Sequence, residues 1–194
     1  MPRLPGVSDR DAGLGVKMAY FFMKRHFKNL TGNENDAMLD PVRVYAHIPK
    51  LLSGYGKLEQ AVAKVHLLDL RHRALAELKA ATTTRCEYCI DLGSRISRDW
   101  GVSEEELLAL PNYRSAPCFS DVDKLVLDYA AAMSRTPVEV SDELFAALRK
   151  HFDVPQLVEL TAIVALENMR ARFNLALDIG SAGFSEGMVC AIPG

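Results

Sequence analysis

Apolar residues recur at helical spacing along most of the chain, with polar residues between them. One such apolar stripe, between about residues 14 and 30, contains Val16, Ala19, Tyr20, Met23 and Phe27. No segment of several residues alternates apolar and polar positions as a half-buried strand does. The pattern therefore predicts an all-α protein, a compact multi-helix bundle of roughly seven to nine helices.

Residues that weaken or end helices divide this pattern. The threonines 82–84 are poor in a helix interior, so we expect a break just before Cys86. Gly54 and Gly56 lie within the next apolar stretch upstream and predict one or two short, interrupted helices there. The last long helix is expected from about Pro155 to Asp178.

Composition and charge narrow the classes of partner. The 194 residues are 49% hydrophobic and 25% charged, with a net charge of −2, a balance typical of soluble globular proteins. Such a charge provides no overall attraction to nucleic acid or anionic lipid, and no apolar run is long enough to span a membrane or to act as a signal peptide. We therefore predict a cytoplasmic protein with no nucleic-acid partner and no membrane partner.

The stretch "RCEYCIDLGS" places Cys86 and Cys89 three residues apart at a predicted helix start. Three residues are close to one helical turn, so both sulfurs are expected on one face and within reach of each other. Free amide N–H groups and the helix dipole at this end favour a thiolate at Cys86. Cytosolic disulfides are seldom structural, so the spacing favours a redox pair.

Two other interpretations of the cysteine pair are open at this point. Free cysteine is among the most buried residue types, so both thiols are also consistent with core filling. A zinc site needs about four ligands, and the remaining cysteines, Cys118 and Cys190, are isolated. The sequence accordingly predicts no metal and no cofactor.

The stretches "RALAELKAATTTRCEYCIDLGSRIS", "WGVSEEELLAL" and "NMRARFNLAL" resemble the carboxymuconolactone decarboxylase superfamily, in its alkylhydroperoxidase D-like branch. The resemblance implies an alkylhydroperoxidase D-like helical domain over residues 41–180, with an amino-terminal helical extension at 1–40 and an irregular carboxy-terminal tail at 181–194. It also implies a homo-oligomer (dimer, trimer or hexamer) and, in the active branch, thiol-dependent peroxide reduction.

The catalytic pattern of that branch is only partly present. It contains a glutamate twelve residues before the first cysteine and a histidine four residues after the second, but this chain has Ala74 and Gly93 there. Glu77, one turn beyond Ala74, is the nearest substitute and a candidate proton relay. The alternative for Glu77 is a surface glutamate paired with Arg73.

These features predict a peroxidase-like thiol oxidoreductase with Cys86 and Cys89 as catalytic residues. Its small-molecule partner is a peroxide or another small ligand, and an external dithiol reductant restores the pair. Turnover is expected to be weak because Ala74 and Gly93 occupy the glutamate and histidine positions. A non-redox small-molecule-binding or decarboxylase-like member of the same superfamily is the alternative, and a scaffold without chemistry is a third interpretation.

Overall fold

The computed structural model describes residues 2–193, and every regular element in this range is helical. Two short 3-10 turns, 36–39 and 110–112, accompany the α-helices. The nine α-helices are α1 (Leu14–Thr31), α2 (Asp40–Tyr45), α3 (Pro49–Ala63), α4 (Leu70–Thr84), α5 (Glu87–Asp99), α6 (Glu104–Ala109), α7 (Asp121–Ser134), α8 (Asp142–Leu148) and α9 (Val154–Ala176). The predicted all-α bundle is confirmed. The predicted division into three segments stays a prediction, and Met1 and Gly194 at its ends lie outside the described residues.

Helix α4 is the centre of the bundle. It packs against α5, α7 and α9, and aliphatic side chains from these helices exclude water around it. Among the fully buried side chains are Leu75, Leu78, Leu127, Leu160 and Ile163. Burying each such side chain contributes roughly 1.5–3 kcal/mol. The cysteine helix α5 is therefore fixed against a rigid neighbour.

One arginine connects α4 to the starts of two other helices. Arg71 donates hydrogen bonds to Glu106 of α6 and Asp123 of α7. Both acids also close capping boxes, accepting from the backbone N–H groups of Ser103 and Ser120. The side chains of Glu106 and Asp123 are only 7% and 5% exposed. Arg71 thus neutralises two buried carboxylates at once.

Two helix boundaries test the sequence predictions directly. Helix α3 runs without interruption through Gly54 and Gly56, so the expected break was wrong. Each glycine weakens a helix by only about 1 kcal/mol, and the ring of Tyr55 between them stacks on Tyr45 at 4.7 Å. The expected end of α4 before Cys86 is confirmed, because Arg85 adopts a left-handed conformation with φ 61°.

No helix in the described part of the chain is both long and apolar enough to cross a membrane.

Candidate functional site: the cysteine pair at the start of α5

Cys86 and Cys89 lie together at the first turn of α5. Cys86 is the N-cap residue, and its sulfur accepts a hydrogen bond from the backbone N–H of Cys89 at 3.3 Å. The backbone N–H of Cys86 donates to the carbonyl of Ala81 in α4 at 3.1 Å, which holds the cap in place. The two sulfurs lie at disulfide distance, and the Cα atoms are 5.2 Å apart. The expected common face is therefore observed.

A single amide from α9 contacts both sulfurs. The Asn174 Nδ2 group donates to Cys86 Sγ at 3.8 Å and to Cys89 Sγ at 3.7 Å. Asn174 is buried, Cys86 is 0% exposed and Cys89 is 7% exposed. Sequence reasoning quoted the segment that contains Asn174 but assigned it no role. The signal that was available is an amide on the apolar face of a core helix, which needs a buried partner.

Asn174→Ala is expected to raise the pKa of the reduced cysteine pair by about one unit. A hydrogen bond to a charged acceptor contributes about 1.5–3 kcal/mol, and one pKa unit corresponds to about 1.4 kcal/mol. The measurement is the rate of thiol alkylation against pH after reduction of the protein.

The matched control for this measurement is Asn168→Ala. Asn168 lies on the same helix, and its amide donates to Ser134 Oγ and to the carbonyl of Val164, not to a sulfur. An alkylation profile that is unchanged in Asn174→Ala, or shifted equally in both variants, would contradict the proposed contact between amide and thiolate.

The two departures from the superfamily's catalytic pattern are both packed positions. Ala74 is buried, and a Cβ added at Gly93 would lie 3.1 Å from Leu78 Cδ2. Leu78 is itself only 1% exposed and has little freedom to move. A histidine therefore does not fit at Gly93 without repacking, and Leu78 fills the space beside this glycine.

A cluster of five charged side chains lies one helical turn from the residues that contact the cysteine pair. Its members come from α3, α4 and α9, and we call it the ion cluster: Glu59, Arg73, Glu77, Glu167 and Arg170. Arg170 is its centre and donates to Glu59 at 2.6 and 2.8 Å and to Glu167 at 2.7 Å. Its Nη1 is also 3.8 Å from Glu77 Oε1. Three carboxylates therefore share two guanidinium groups.

The excess of carboxylates affects the protonation of the ion cluster. Burial raises the pKa of Glu77 and of Glu167, and the nearby arginines only partly oppose this. Burial also acts on Glu59, but the hydrogen bonds and charge of Arg170 outweigh it, so the pKa of Glu59 is lowered. Protons in the cluster are thus held preferentially by Glu77 and Glu167.

Glu77 differs from both of its sequence interpretations in part. It does approach Arg73, with 3.6 Å between Oε1 and Nε, but its side chain is only 18% exposed and is not a surface group. Within residues 2–193, Glu77 makes no hydrogen bond to either sulfur. It lies one turn before Ala81, whose carbonyl binds the N–H of Cys86, as Arg170 lies one turn before Asn174.

The carboxy-terminal segment 179–191 is bound along α5 by one carboxylate. Asp91 Oδ2 accepts from Ser181 Oγ and from the backbone N–H groups of residues 182–184, at 2.7–3.1 Å, and Oδ1 accepts from Ser185 N at 2.7 Å. The ring of Phe184 packs edge-on against Tyr88, the residue before Cys89. We call this segment the strap. It passes beside the first turn of the cysteine helix, and sequence reasoning gave Asp91 no such role.

The rest of the described chain adds no second centre beside the cysteines. Two surface clefts of about 440 and 420 Å³ lie against α1 and the residues that precede it, and neither is lined by a cysteine. No group of three or more His, Cys, Asp and Glu side chains among residues 2–193 is arranged to hold a metal ion. Cys118 and Cys190 are both unbonded and partly exposed.

Comparison with known proteins identifies the family. The model of the carboxymuconolactone decarboxylase family matches residues 49–132, which include both cysteines. Protein YnjA of Escherichia coli strain K12 is 39% identical over 160 residues, covering 80% of this chain and 84% of YnjA. The chain belongs to the carboxymuconolactone decarboxylase family. Protein YdfG of Bacillus subtilis strain 168 is 26% identical over 106 residues, covering 54% of this chain and 72% of YdfG.

Solved structures show which fold this family member has. The alkylhydroperoxidase AhpD core of a peroxidase-related protein from Ralstonia eutropha JMP134 superposes with a TM-score of 0.75 at 18% identity, covering 100% of this chain and 98% of that one. A variant of the debrominase Bmp8, in complex with 2,3,4-tribromopyrrole, superposes with a TM-score of 0.70 at 17% identity, covering 86% and 87%. The all-α, alkylhydroperoxidase D-like fold expected from the sequence is thereby confirmed.

Proposed function

We propose that this family member is a peroxidase-like thiol oxidoreductase in which Cys86 and Cys89 cycle between dithiol and disulfide. The observation that carries the proposal is the shared environment of the two sulfurs. They lie at disulfide distance at a helix N-cap, and Asn174 donates to both. Hydrogen bonds and amide dipoles of this kind stabilise a thiolate.

The proposed reaction has three steps. A thiolate attacks the terminal oxygen of a hydroperoxide, the O–O bond breaks, and an alcohol leaves with one proton. The resulting sulfenic acid condenses with the second thiol, forming the S–S bond and releasing water. An external dithiol then reduces the disulfide by exchange and is itself oxidised to a disulfide.

Access favours Cys89 as the attacking residue. Cys89 keeps 7% of its surface exposed, whereas Cys86 is fully enclosed. Cys86, fixed as the N-cap, is then the resolving residue. Narrow access, together with Ala74 and Gly93 at the superfamily's glutamate and histidine positions, supports weak turnover with bulky peroxides.

The decisive experiment combines activity with trapping of the sulfenic acid. Purified protein is given a hydroperoxide and a dithiol, and peroxide loss is followed for the wild type, Cys86→Ser and Cys89→Ser. Both variants are expected to lose dithiol-dependent turnover. Cys86→Ser is expected to accumulate a sulfenic acid on Cys89 that a dimedone-type reagent labels, and Cys118→Ser is the control that keeps full activity.

Two results would sink this proposal. Turnover that persists in both serine variants would place the chemistry elsewhere. Two thiols that neither form an internal disulfide nor react with a small excess of peroxide would leave the pair as core residues.

The proposal gives Glu77 the role of proton reservoir. Because burial raises the pKa of Glu77, it retains a proton at higher pH than a solvated glutamate and can supply that proton to a leaving alkoxide or thiolate through Asn174 or water. Glu77→Gln keeps the shape and the neutral charge of the protonated acid but cannot give up the proton.

Glu77→Gln is therefore expected to lower turnover by about tenfold to a hundredfold, in the lower range of general acid–base contributions, with little loss of stability. Loss of the alkaline limb of the pH profile, measured beside the thermal midpoint, distinguishes this role from a structural one. Glu59→Gln is the comparison, because the pKa of Glu59 is lowered and this residue holds no proton at neutral pH. Equal effects of the two variants would argue against a proton reservoir at Glu77.

The remaining expectations complete the proposal. The reductant is an external dithiol, the protein acts in the cytoplasm, and it assembles as a homo-oligomer (dimer, trimer or hexamer). Phe21 and Phe22 of α1, 62% and 61% exposed, support such assembly. The non-redox alternative lacks its expected support, since Leu78 fills the space beside Gly93 and the candidate basic groups Arg95 and Arg172 bind Asp99 and Thr136 instead.

A further inference from the structure

Lys79 is a mostly buried amine that the cysteine chemistry does not use. It is only 6% exposed and lies on α4. Its neighbour Leu78 faces Gly93 of α5, whereas the Lys79 ammonium lies 4.8 Å from the centre of the Tyr113 ring. Within residues 2–193 its Nζ makes no ion pair and no hydrogen bond. Buried lysines without a carboxylate partner are rare, because a charge removed from water needs compensation.

The nearby carboxylate is already engaged by other groups. Asp128 accepts from Tyr113 Oη and from Arg114, whose Nη2 and Nε lie 2.6 and 2.8 Å from its Oδ1. The ring of Tyr113 attracts the Lys79 ammonium, but it offers no strong hydrogen-bond acceptor to the three N–H groups. The donors of Lys79 are therefore left over after all local contacts are made.

Two further groups around Lys79 also lack partners. Arg135, which follows the last residue of α7, makes no ion pair or hydrogen bond with the described residues, and its charge acts on Lys79 together with that of Arg114. Thr83 lies one turn along α4 from Lys79, and its buried Oγ1 has no hydrogen-bond partner within the described chain. Three cations and a free hydroxyl thus surround one occupied carboxylate.

We propose that Lys79, Thr83 and Arg135 form a binding site for a small ligand that bears an oxyanion, either a carboxylate or a phosphate. A planar or tetrahedral oxyanion accepts from an ammonium, a guanidinium and a hydroxyl at the same time, which is the set of donors left free here. The site lies where α4 meets α7 and Tyr113. It is independent of the proposed peroxidase chemistry.

The protonation of Lys79 responds to such a ligand. Burial, and then the charges of Arg114 and Arg135, lower the pKa of Lys79, while Asp128 opposes them. A bound anion favours the charged amine and reverses this, so binding takes up a proton at alkaline pH. Tyr113 does not compete, because burial and its bond to Asp128 raise its pKa, and both arginines stay charged. Affinity should therefore fall as pH rises through the pKa of Lys79.

The test uses the full-length protein, with inorganic phosphate and benzoate as separate probes and sodium chloride at equal ionic strength as the reference. Calorimetric titration and the shift of the thermal midpoint report binding. Lys79→Met and Arg135→Gln are expected to weaken binding by about tenfold or more. Lys79→Arg should keep binding but lose its alkaline decline, and Lys57→Met, at an exposed lysine of α3, should behave as the wild type.

Each outcome decides the proposal. Saturable binding of one probe, weakened in Lys79→Met and in Arg135→Gln, supports it and tells a carboxylate ligand from a phosphate ligand. Arg135 is exposed, so Arg135→Gln reports binding even if Lys79→Met fails to fold. The absence of saturation by both probes overturns the site, as does equal binding by wild type and Arg135→Gln. Repeating the titration on Cys86→Ser keeps the result separate from the cysteine chemistry.

Discussion

Replacing Arg71 by methionine is expected to lower the free energy of unfolding by about 3–5 kcal/mol, because removing one partner leaves a buried charge uncompensated. The apolar stem of methionine preserves the packing of α4, but Glu106 and Asp123 lose their common guanidinium. Arg95→Met is the matched control, since Arg95 pairs on the surface with Asp99, which is 56% exposed. Exposed pairs contribute about 0–1 kcal/mol. Urea unfolding of the three proteins measures the difference.

The pH dependence identifies the two carboxylates as the cause. Burial alone would raise the pKa of Glu106 and of Asp123, but the hydrogen bonds of Arg71 and of the serine caps outweigh it, so both pKa values are lowered. The stability that these acids contribute is present above their unfolded values of about 4 and is lost as pH falls through the folded values. The difference between wild type and Arg71→Met should therefore narrow below about pH 4. A difference that stays constant under strongly acidic conditions would attribute the loss to packing instead.

The fold was predictable because its determinants are local in sequence. Helical periodicity and the poor helix formers before Cys86 each act within a few residues, and they predicted the helix class and the end of α4. The interruption of α3 was predicted wrongly because Gly54 and Gly56 weaken a helix only modestly. The contact that holds this helix, Tyr55 on Tyr45, comes from outside it.

The cysteine pair was predictable for the same reason, and the groups around it were not. A C-x-x-C spacing fixes the geometry of Cys86 and Cys89 through one helical turn. Asn174 reaches the sulfurs from 85 and 88 positions away in the sequence, and Ser185 reaches Asp91 from 94 positions away. Pairings over such separations depend on how α4, α5 and α9 pack, which no local pattern encodes.

The Asp91 carboxylate has the second large expected effect, on the strap rather than on the whole fold. Asp91→Ala removes the acceptor of one hydroxyl and four backbone N–H groups. A hydrogen bond to a charged acceptor contributes about 1.5–3 kcal/mol, so the strap is expected to detach. Hydrogen exchange of the amides 182–185 should then accelerate by at least about a hundredfold, which corresponds to roughly 2.7 kcal/mol of lost local stability.

Detachment of the strap has a consequence for the sulfurs that a merely local loosening would not have. Phe184 leaves the ring of Tyr88, so the first turn of α5 becomes open and the disulfide of Asp91→Ala should be reduced faster by a small dithiol. A protease that cleaves after glutamate should also cut at the exposed Glu186 sooner than in the wild type. Asp99→Ala, on the same helix but facing solvent, is the control for both measurements. Faster exchange of the strap without faster reduction would mean that the strap lies beside the cysteines without limiting access to them, and the narrow entry would then belong to the helices alone.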